Sequence, residues 1–138
     1  MTDNDHAADL AAFVRLMYDE LEHGDGATFA AALAPDVRTL DERTGRWAYG
    51  PGELAAKSEA EIKGADSYRH WIDEVDARMV GPELGLVTYV WHADAVWGGE
   101  QYNIRCPSSL LARREADGWK IVLMHSVPAE ERAADGQS

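Results

Sequence analysis

The C-terminal third of the chain restricts the fold most, because it contains two strand-type runs joined by a strong turn signal. The dipeptide Asp117-Gly118 is typical of a two-residue hairpin turn, and β-prone residues flank it. After the turn, Lys120 alternates with Trp119 and further apolar residues, as expected of a strand with one polar face. This alternation predicts that His125 lies on the Trp119 face, where its imidazole needs a hydrogen-bonding partner or a ligand. A neighbouring side chain or carbonyl group would meet that need as well as a ligand would.

Size and charge limit the classes of protein to which the chain can belong. A length of 138 residues with 46% hydrophobic residues is typical of one domain with one core. The net charge of -12, with scattered Lys and Arg residues, leaves no basic face for nucleic acid or for an anionic membrane. We therefore expect neither of these partners.

The sequence also lacks the usual signals for export or for a bilayer span. Its N-terminus has neither a basic region nor an apolar run, and no apolar stretch is long enough to cross a membrane. Cys106 is the only cysteine, so no intramolecular disulfide can form and nothing indicates an oxidising compartment. These features predict a cytoplasmic protein.

No motif for a metal, a cofactor or a thiol nucleophile stands out. The histidines His70, His92 and His125 do not have metal-ligand spacing, and no cysteine cluster accompanies them. No glycine-rich phosphate loop follows a strand, and Cys106 beside Pro107 is typical of a small residue in a strand. We expect no metal and no cofactor.

The first half of the chain predicts three helices and a hairpin. Apolar residues at three- and four-residue steps indicate an amphipathic helix from Ala7 to His23, and a second helix from Ala27 to Ala34 ends at Pro35. A hairpin from Val37 to Tyr49 comes next, and a third helix runs from Gly50 to about Lys63. The first two helices therefore form an αα-hairpin.

Beyond Gly64 the pattern becomes that of antiparallel strands. Apolar and polar residues alternate from Glu74 to Met79, and the run from Leu84 to Val96 is strongly β-prone. Pro107 lies inside the next run, from Gln101 to Glu115, and predicts a bulge or a break there because proline cannot donate to a strand ladder.

This order of elements predicts an α+β fold in which three helices cover one face of a curved antiparallel sheet. The helices and the sheet would enclose a cone-shaped pocket, and such pockets tend to hold a ligand. We expect residues 6–128 to form a single domain and residues 1–5 and 129–138 to be polar tails.

With the elements in this order, two segments resemble a known superfamily. The segments from Tyr18 to Asp25 and from Asp117 to Ser126 resemble the nuclear transport factor 2-like (NTF2-like) superfamily, and the likeness extends from about Ala7 to Pro128. The chain is most similar to the SnoaL-like branch of polyketide cyclases and ketosteroid isomerase-like proteins. It is also similar to the association domain of calcium/calmodulin-dependent kinase II. The resemblance implies a cone-shaped fold with a pocket.

The resemblance also implies roles for individual residues. Asp41 falls where ketosteroid isomerases of this superfamily carry their general-base aspartate, whereas Met17 and Leu110 replace their two oxyanion donors. Because removing such donors costs orders of magnitude in rate, steroid isomerisation itself is not expected. His125 lies where SnoaL-like cyclases carry an acidic residue. Arg105 lies in the strand where the kinase association domain has a cavity arginine that helps to bind small anions.

Aromatic residues supply the remaining candidates. Tyr89 and Trp91 share one face of the β-prone run, whereas Thr88 and His92 share the other, and His92 could pair with Asp94. Since neither face is plainly polar, the outer face is a candidate dimer interface. Tyr89 and Trp91 could instead line the cavity. The residues expected to contact a substrate are Tyr18, Trp47, Tyr89, Trp91 and Asn103.

Together these features predict a small cofactor-independent enzyme of the SnoaL-like type that acts on an apolar carbonyl compound, such as a polyketide intermediate. Asp41 or His125 would abstract a proton, and Arg105 and Tyr89 would stabilise the enolate. The alternative is a non-catalytic protein that binds a small hydrophobic or anionic molecule, or a dimeric assembly module that uses its outer sheet face. Fold analogy alone does not choose between these functions.

Overall fold

A computed structural model describes residues 2–41, 45–54, 64–127 and 130–133. In this part of the chain, two helices and the first turn of a third accompany a single seven-stranded sheet. Residues 51–54 are helical, and the rest of the predicted third helix lies outside the described residues. The elements are α1 (Asp3–Glu22), α2 (Ala27–Ala32), β1 (Leu33–Asp41), β2 (Arg46–Tyr49), β3 (Ser67–Met79), β4 (Leu84–Trp97), β5 (Glu100–Glu115), β6 (Gly118–Ser126) and β7 (Glu130–Ala133).

Helix α1 begins at Asp3, four residues before the predicted start, because Thr2 caps it. The Thr2 hydroxyl accepts from the Asp5 amide at 3.2 Å, and the Asp5 carboxylate accepts from the Thr2 amide at 3.1 Å. This reciprocal pair is a capping box, which satisfies two amides that the helix cannot pair internally. No helix in the described part of the chain is both long and apolar enough to cross a membrane.

The α2 helix ends at Ala32 and not at the predicted Ala34, and β1 follows it directly. Pro35 therefore lies inside β1 and does not terminate the helix. The predicted hairpin between β1 and β2 is present, with Asp41 opposite Arg46.

The sheet has the strand order β2-β1-β6-β5-β4-β3, and β7 pairs with the first part of β5. Neighbouring strands are antiparallel except β1 and β6, which are parallel. A two-residue turn joins β5 to β6 as predicted, but it consists of Ala116 and Asp117, and Gly118 is already the first residue of β6, opposite Glu115. The predicted α+β architecture is therefore confirmed, with one parallel strand pair in an otherwise antiparallel sheet.

Pro107 does not break β5, although the sequence predicted an irregularity there. The Pro107 carbonyl accepts from the Val127 amide at 2.9 Å, on the side of the strand that faces β6. The Pro107 nitrogen faces the same side of the strand as its carbonyl. On that side β6 ends at Ser126 and β7 begins at Glu130, and Pro107 lies opposite the segment between them. The missing N–H group therefore falls where the ladder is already interrupted.

Two β-bulges occur instead, one in β6 and one in β3. Leu123 pairs with Leu111 and Ile121 pairs with Ala112, so Val122 is an extra residue in β6. In β3, Glu74 and Val75 together lie opposite Tyr89 of β4. A bulge shifts the alternation of side chains by one residue, so residues beyond it exchange faces relative to a regular strand.

The hydrophobic core lies between α1 and the sheet face that we call the inner face. Leu10, Val14 and Met17 of α1 are completely buried and pack with Val87, Leu110 and Ile121 of the sheet. The opposite side of the sheet is the outer face. The core thus fixes which side chains of each strand can reach the space beneath the helices.

Candidate functional site

A buried histidine lies on the inner face, near the last turns of α1. His70 of β3 is only 8% exposed, and Trp91 of β4 donates its indole Nε1–H to His70 Nδ1 at 3.3 Å. Because Nδ1 accepts this bond, the neutral ring carries its proton on Nε2. The donor–acceptor distance is at the long end for a hydrogen bond, so the Nδ1 lone pair is only weakly engaged.

The surroundings of His70 act in two directions on its pKa. Burial lowers the pKa of the imidazole, while the Glu22 carboxylate and a hydrogen bond to the Leu21 backbone oppose that shift. Burial is the largest cause, so the ring is uncharged at neutral pH. A proton that arrives on His70 would nevertheless find a carboxylate and a backbone oxygen that stabilise the new positive charge.

Two buried tyrosines lie beside this histidine. The Tyr18 and Tyr89 hydroxyls are 2.7 Å apart, and their side chains are 9% and 3% exposed. Burial raises the pKa of Tyr18 to about 12 and raises the pKa of Tyr89 well above its usual range. Both phenols therefore remain protonated and act as hydrogen-bond donors. Since one hydroxyl donates to the other, the accepting hydroxyl keeps its own proton for a ligand oxygen.

Further aromatic rings extend the site along the inner face. The Tyr68 ring lies 5.6 Å from His70 and 6.3 Å from Trp97, and the Trp97 ring lies 5.5 Å from Tyr102. These three rings are half-buried, whereas the tyrosine pair and His70 are buried. The site therefore has a polar end at His70 and a wall of aromatic rings that leads away from it.

The structure brings together three of the five residues predicted to contact a substrate. Tyr18, Tyr89 and Trp91 all lie at the polar end of the inner face. The predicted sharing of one face by Tyr89 and Trp91 is confirmed, and that face is the inner face, which packs against α1.

His125 lies on the outer face, so its predicted position on the Trp119 face is wrong. It pairs with Ser109, which pairs with Thr88 of β4, and all three point away from the core. The reason is the bulge at Val122, which interrupts the simple alternation that starts at Trp119.

Two other predicted residues also lie on the outer face. Arg105 forms an ion pair with Glu74 at 3.7 Å, with both side chains largely exposed. Asn103 donates its amide to Asp94 at 3.1 Å. Asp94 therefore does not pair with His92, as the sequence analysis had allowed.

His92 bonds instead to Asp73. Its Nε2 atom lies 3.0 Å from the Asp73 carboxylate, and its ring stacks on Trp71 at 5.2 Å. These contacts belong to the outer face and do not reach the tyrosine pair.

The last two predicted residues lie at the β1–β2 hairpin. Asp41 pairs through its backbone with Arg46, and its side chain lies outside the part of the structure that can be described. Trp47 is 48% exposed on β2, an edge strand of the sheet.

The sequence analysis missed His70 as a site residue. The signal that could have found it is the run Tyr68-Arg69-His70-Trp71-Ile72, in which alternate residues lie on the inner face. The alternation of residues that starts at Glu74 does not predict the position of His70 on the inner face, because the bulge at Glu74 separates the two halves of β3.

One cluster has the residue types of a metal site. Ligand atoms of Asp19, Glu22 and His23 lie within 4.8 Å of one another at the end of α1. His23 Nδ1 already bonds to the Asp19 carbonyl at 2.8 Å, and Glu22 pairs with Arg69 at 3.6 Å. Exposed acidic groups of this kind are common without an ion, and we assign no metal site to them.

Comparison with protein families decides the classification. The model of the SnoaL-like domain matches residues 10–130, which is most of the chain. The chain belongs to the SnoaL-like domain family. This confirms the resemblance seen in its sequence. No curated protein matches the sequence at a significant level.

Solved structures share this fold at low sequence identity. A hexachlorocyclohexane dehydrochlorinase, LinA-type3 from Novosphingobium barchaimii, is 16% identical with a TM-score of 0.79, covering 98% of this chain and 96% of that one. A candidate scytalone dehydratase from Novosphingobium aromaticivorans is 15% identical with a TM-score of 0.78, covering 100% and 95%. The CaMKII hub of S. rosetta is 17% identical with a TM-score of 0.76, covering 89% and 96%. This fold is therefore shared by a dehydrochlorinase and by a kinase hub domain.

Proposed function

We propose that the chain is a cofactor-independent enzyme of the SnoaL-like type that removes a proton beside the carbonyl group of an apolar compound, such as a polyketide intermediate. The observation that carries this proposal is the uncharged, buried His70 next to the hydroxyl pair of Tyr18 and Tyr89. His70 takes the role that the sequence analysis gave to Asp41 or His125, and the tyrosines take the role given to Arg105.

The base in this mechanism is Nδ1 of His70. A substrate that displaces the weak bond from Trp91 exposes the Nδ1 lone pair to a C–H bond beside the carbonyl. The proton moves to Nδ1, the electron pair of the C–H bond forms a carbon–carbon double bond, and the π pair of the carbonyl group moves onto its oxygen to give an enolate. The charge on the resulting imidazolium is stabilised by Glu22 and by the Leu21 backbone.

The enolate oxygen is stabilised by the tyrosine pair. The free hydroxyl proton of that pair can bond to the developing negative charge, and the bond between Tyr18 and Tyr89 polarises the donor. Neither phenol loses its proton, because burial raises the pKa of both.

The enolate can then react in three ways. It can take a proton at another carbon, attack a second carbonyl group in a cyclisation, or expel a substituent from the neighbouring carbon. Two structural relatives, a candidate dehydratase and a dehydrochlorinase, are named for eliminations, in which a substituent leaves together with a proton. All three outcomes begin with the same proton transfer, so the proton transfer is the step to test.

Deuterium exchange tests this step without knowledge of the product. The protein is incubated in D₂O with a panel of cyclic and aromatic ketones, and mass spectrometry measures deuterium beside each carbonyl. We expect His70→Asn, whose amide oxygen can replace Nδ1 as the acceptor for Trp91, to slow exchange by about 100- to 10,000-fold. We expect Tyr89→Phe to slow it by roughly 100- to 1,000-fold.

His92→Gln is the matched control, because His92 lies on the outer face and should not affect exchange. Folding of each variant is checked by its near-UV circular dichroism. Equal exchange rates in the folded His70→Asn variant and the wild type would refute the assignment of the base.

A second candidate function is assembly through the outer face. Leu86, Leu111 and Leu123 are cross-strand partners and form an apolar row there, which we call the leucine row. Among the described residues no helix covers this face of the sheet, and an exposed apolar row of this kind favours association with another surface. The CaMKII hub among the structural relatives agrees with this candidate. Analytical ultracentrifugation tests it, and we expect a homodimer, whereas a monomer at every concentration would contradict it.

A further inference from the structure

The outer face contains a second concave site, which we call the outer groove. Its volume is about 380 Å³, close to the lower end of the range for ligand pockets, roughly 300–1,000 Å³. It lies across β3, β4, β5 and β6, and Tyr89 and Ser108, whose side chains belong to the inner face, also border it. The lining side chains used in the argument below are Glu74, Thr88, Val90, Ser109, His125 and Val127.

We propose that the outer groove binds a small organic ammonium ion, a primary amine that carries a short apolar group. The polar side chains proposed to bind the ammonium group lie on the sheet face opposite His70, although Tyr89 borders both sites.

Both β-bulges of the sheet contribute to the outer groove. The bulge in β3 gives Glu74 a φ angle of 52°, a left-handed conformation that few residues other than glycine adopt, and its carboxylate reaches Arg105 of the outer face. The bulge at Val122 brings His125 to the same face. Bulges often re-aim side chains next to functional sites, and here two of them direct polar groups into one groove.

Hydrogen-bond acceptors lie side by side along the groove. Thr88 pairs with Ser109, and Ser109 pairs with His125, so the three side chains form a row across three strands. Directly paired residues of neighbouring strands have Cβ atoms about 4.5–5.5 Å apart. The two hydroxyl oxygens and a ring nitrogen of His125 can each accept one of the three protons of an ammonium group.

The charges around the groove favour a cation. Glu74 lines the groove, and Asp73 and Asp76 are the partners of Val90 and Thr88 on the same face. Glu74 forms an ion pair with Arg105 at 3.7 Å, and because both side chains are exposed, a ligand that replaces this pair loses little stabilisation. The net charge of -12 further raises the local concentration of cations.

The rest of the lining is apolar. Val90 is buried, and Val127, at the end of β6, is 48% exposed. An alkyl or aryl group on the ammonium ion would cover the exposed part of Val127, whereas an ammonium ion without such a group would leave it in contact with water. The carboxylate, the row of hydrogen-bond acceptors and the apolar lining together favour an amine with an apolar substituent. They disfavour both a simple inorganic cation and a neutral hydrocarbon.

A titration with three matched probes tests the proposal. Phenethylammonium chloride, 2-phenylethanol and sodium phenylacetate are added to ¹⁵N-labelled protein, and amide shifts are followed by NMR. We expect saturable shifts at Ser109 and His125 with the ammonium probe, binding at least tenfold weaker for the alcohol, and none for the carboxylate. We expect Glu74→Gln to weaken ammonium binding at least tenfold.

Glu83→Gln is the matched control, since Glu83 is an exposed carboxylate paired with Arg114 away from the groove, and it should bind the ammonium probe like the wild type. Ser109→Val provides a second test if Glu74→Gln does not fold, because it removes an acceptor without changing charge. Equal binding of the ammonium and alcohol probes would overturn the proposal. Shifts confined to the inner face, or unchanged affinity in both groove variants, would also overturn it.

Discussion

The charge state of a single residue, His70, determines what the inner face can do. A buried imidazole with a lowered pKa remains a base over a wider range of acidity than an exposed one. The same burial makes its protonation costly to the fold, so function and stability depend on one titration.

His70 should make the protein less stable in weak acid. Its pKa in the folded state lies below the value of about 6.5 in the unfolded chain, so the unfolded state binds more protons as the pH falls past that value. The His70 contribution to stability is thus fully present above about pH 6.5 and is lost progressively below it. We expect the urea midpoint of the wild type to fall more between pH 7.5 and pH 5 than that of His70→Asn. Parallel pH profiles for the two proteins would contradict this prediction.

The tyrosine pair should show strong coupling in a double-mutant cycle. Tyr18→Phe or Tyr89→Phe alone leaves the other hydroxyl buried without its 2.7 Å partner, which costs roughly 1–3 kcal/mol of unfolding free energy. The double variant removes both hydroxyls and should cost less than the sum of the two single variants. Urea denaturation of the four proteins measures the difference, and simple additivity would show that the hydrogen bond does not stabilise the fold.

At the scale of residues, sequence alternation worked only where the strand is regular. It placed Tyr89 and Trp91 on one face because β4 pairs with β5 without a register shift. It misplaced His125 because β6 contains an extra residue, Val122, relative to β5, and the alternation of residue types does not reveal it. It passed over His70 because the indole that bonds to it is 21 residues away along the chain.

At the scale of elements, the approach of α1 to the sheet depends on a glycine in β4. A Cβ atom at Gly85 would lie 2.4 Å from Cδ2 of Leu10, which is completely buried. The helix can therefore approach the sheet at this point only because position 85 has no side chain. This contact holds the first half of α1 against the strands that carry the site.

Gly85→Ala should destabilise the fold by roughly 1–3 kcal/mol, because the added methyl group must displace Leu10. Gly81→Ala is the matched control, since its Cβ would meet Leu84 at an ordinary distance of 3.7 Å. Thermal or urea unfolding measures both. Combining Gly85→Ala with Leu10→Ala should cost less than the sum of the two changes, and a fully additive result would mean that this contact is not the cause.

The elements themselves were largely predictable, and their ends were not. The apolar spacing of α1 predicted the helix, but its start depends on the capping box of Thr2 and Asp5, four residues earlier than the predicted boundary. Likewise Pro35 suggested the end of a helix, yet the structure places it inside β1. A local residue preference is weak evidence when tertiary pairing offers the chain an alternative.

At the scale of the whole molecule, the sheet separates two kinds of surface. The inner face holds an uncharged base among aromatic rings, whereas the outer face holds the leucine row and the outer groove. The α+β architecture and the SnoaL-like family were predictable because they depend on the order of elements, which tolerates errors of a few residues. The location of each site was not predictable, because it depends on which face of the sheet each side chain occupies.

The leucine row and the outer groove are neighbours, which leads to a prediction about assembly. Leu86 is two residues from Thr88, and Leu111 is two residues from Ser109, so a second copy seated on the row would also cover the groove. Dimerisation and ammonium binding should then compete. We expect Leu111→Arg to prevent dimerisation by placing a charge in the apolar row, and to preserve the binding of phenethylammonium.

Gln101→Arg adds the same charge at an exposed position on the same face and is the matched control. It should dimerise like the wild type in sedimentation experiments. Saturating phenethylammonium should shift the wild type towards the monomer. The groove is accessible only in the monomer, and a ligand that binds the monomer alone stabilises it relative to the dimer. If the dimer instead binds the amine as tightly as the monomer does, the interface must lie elsewhere, and the two outer-face features act independently.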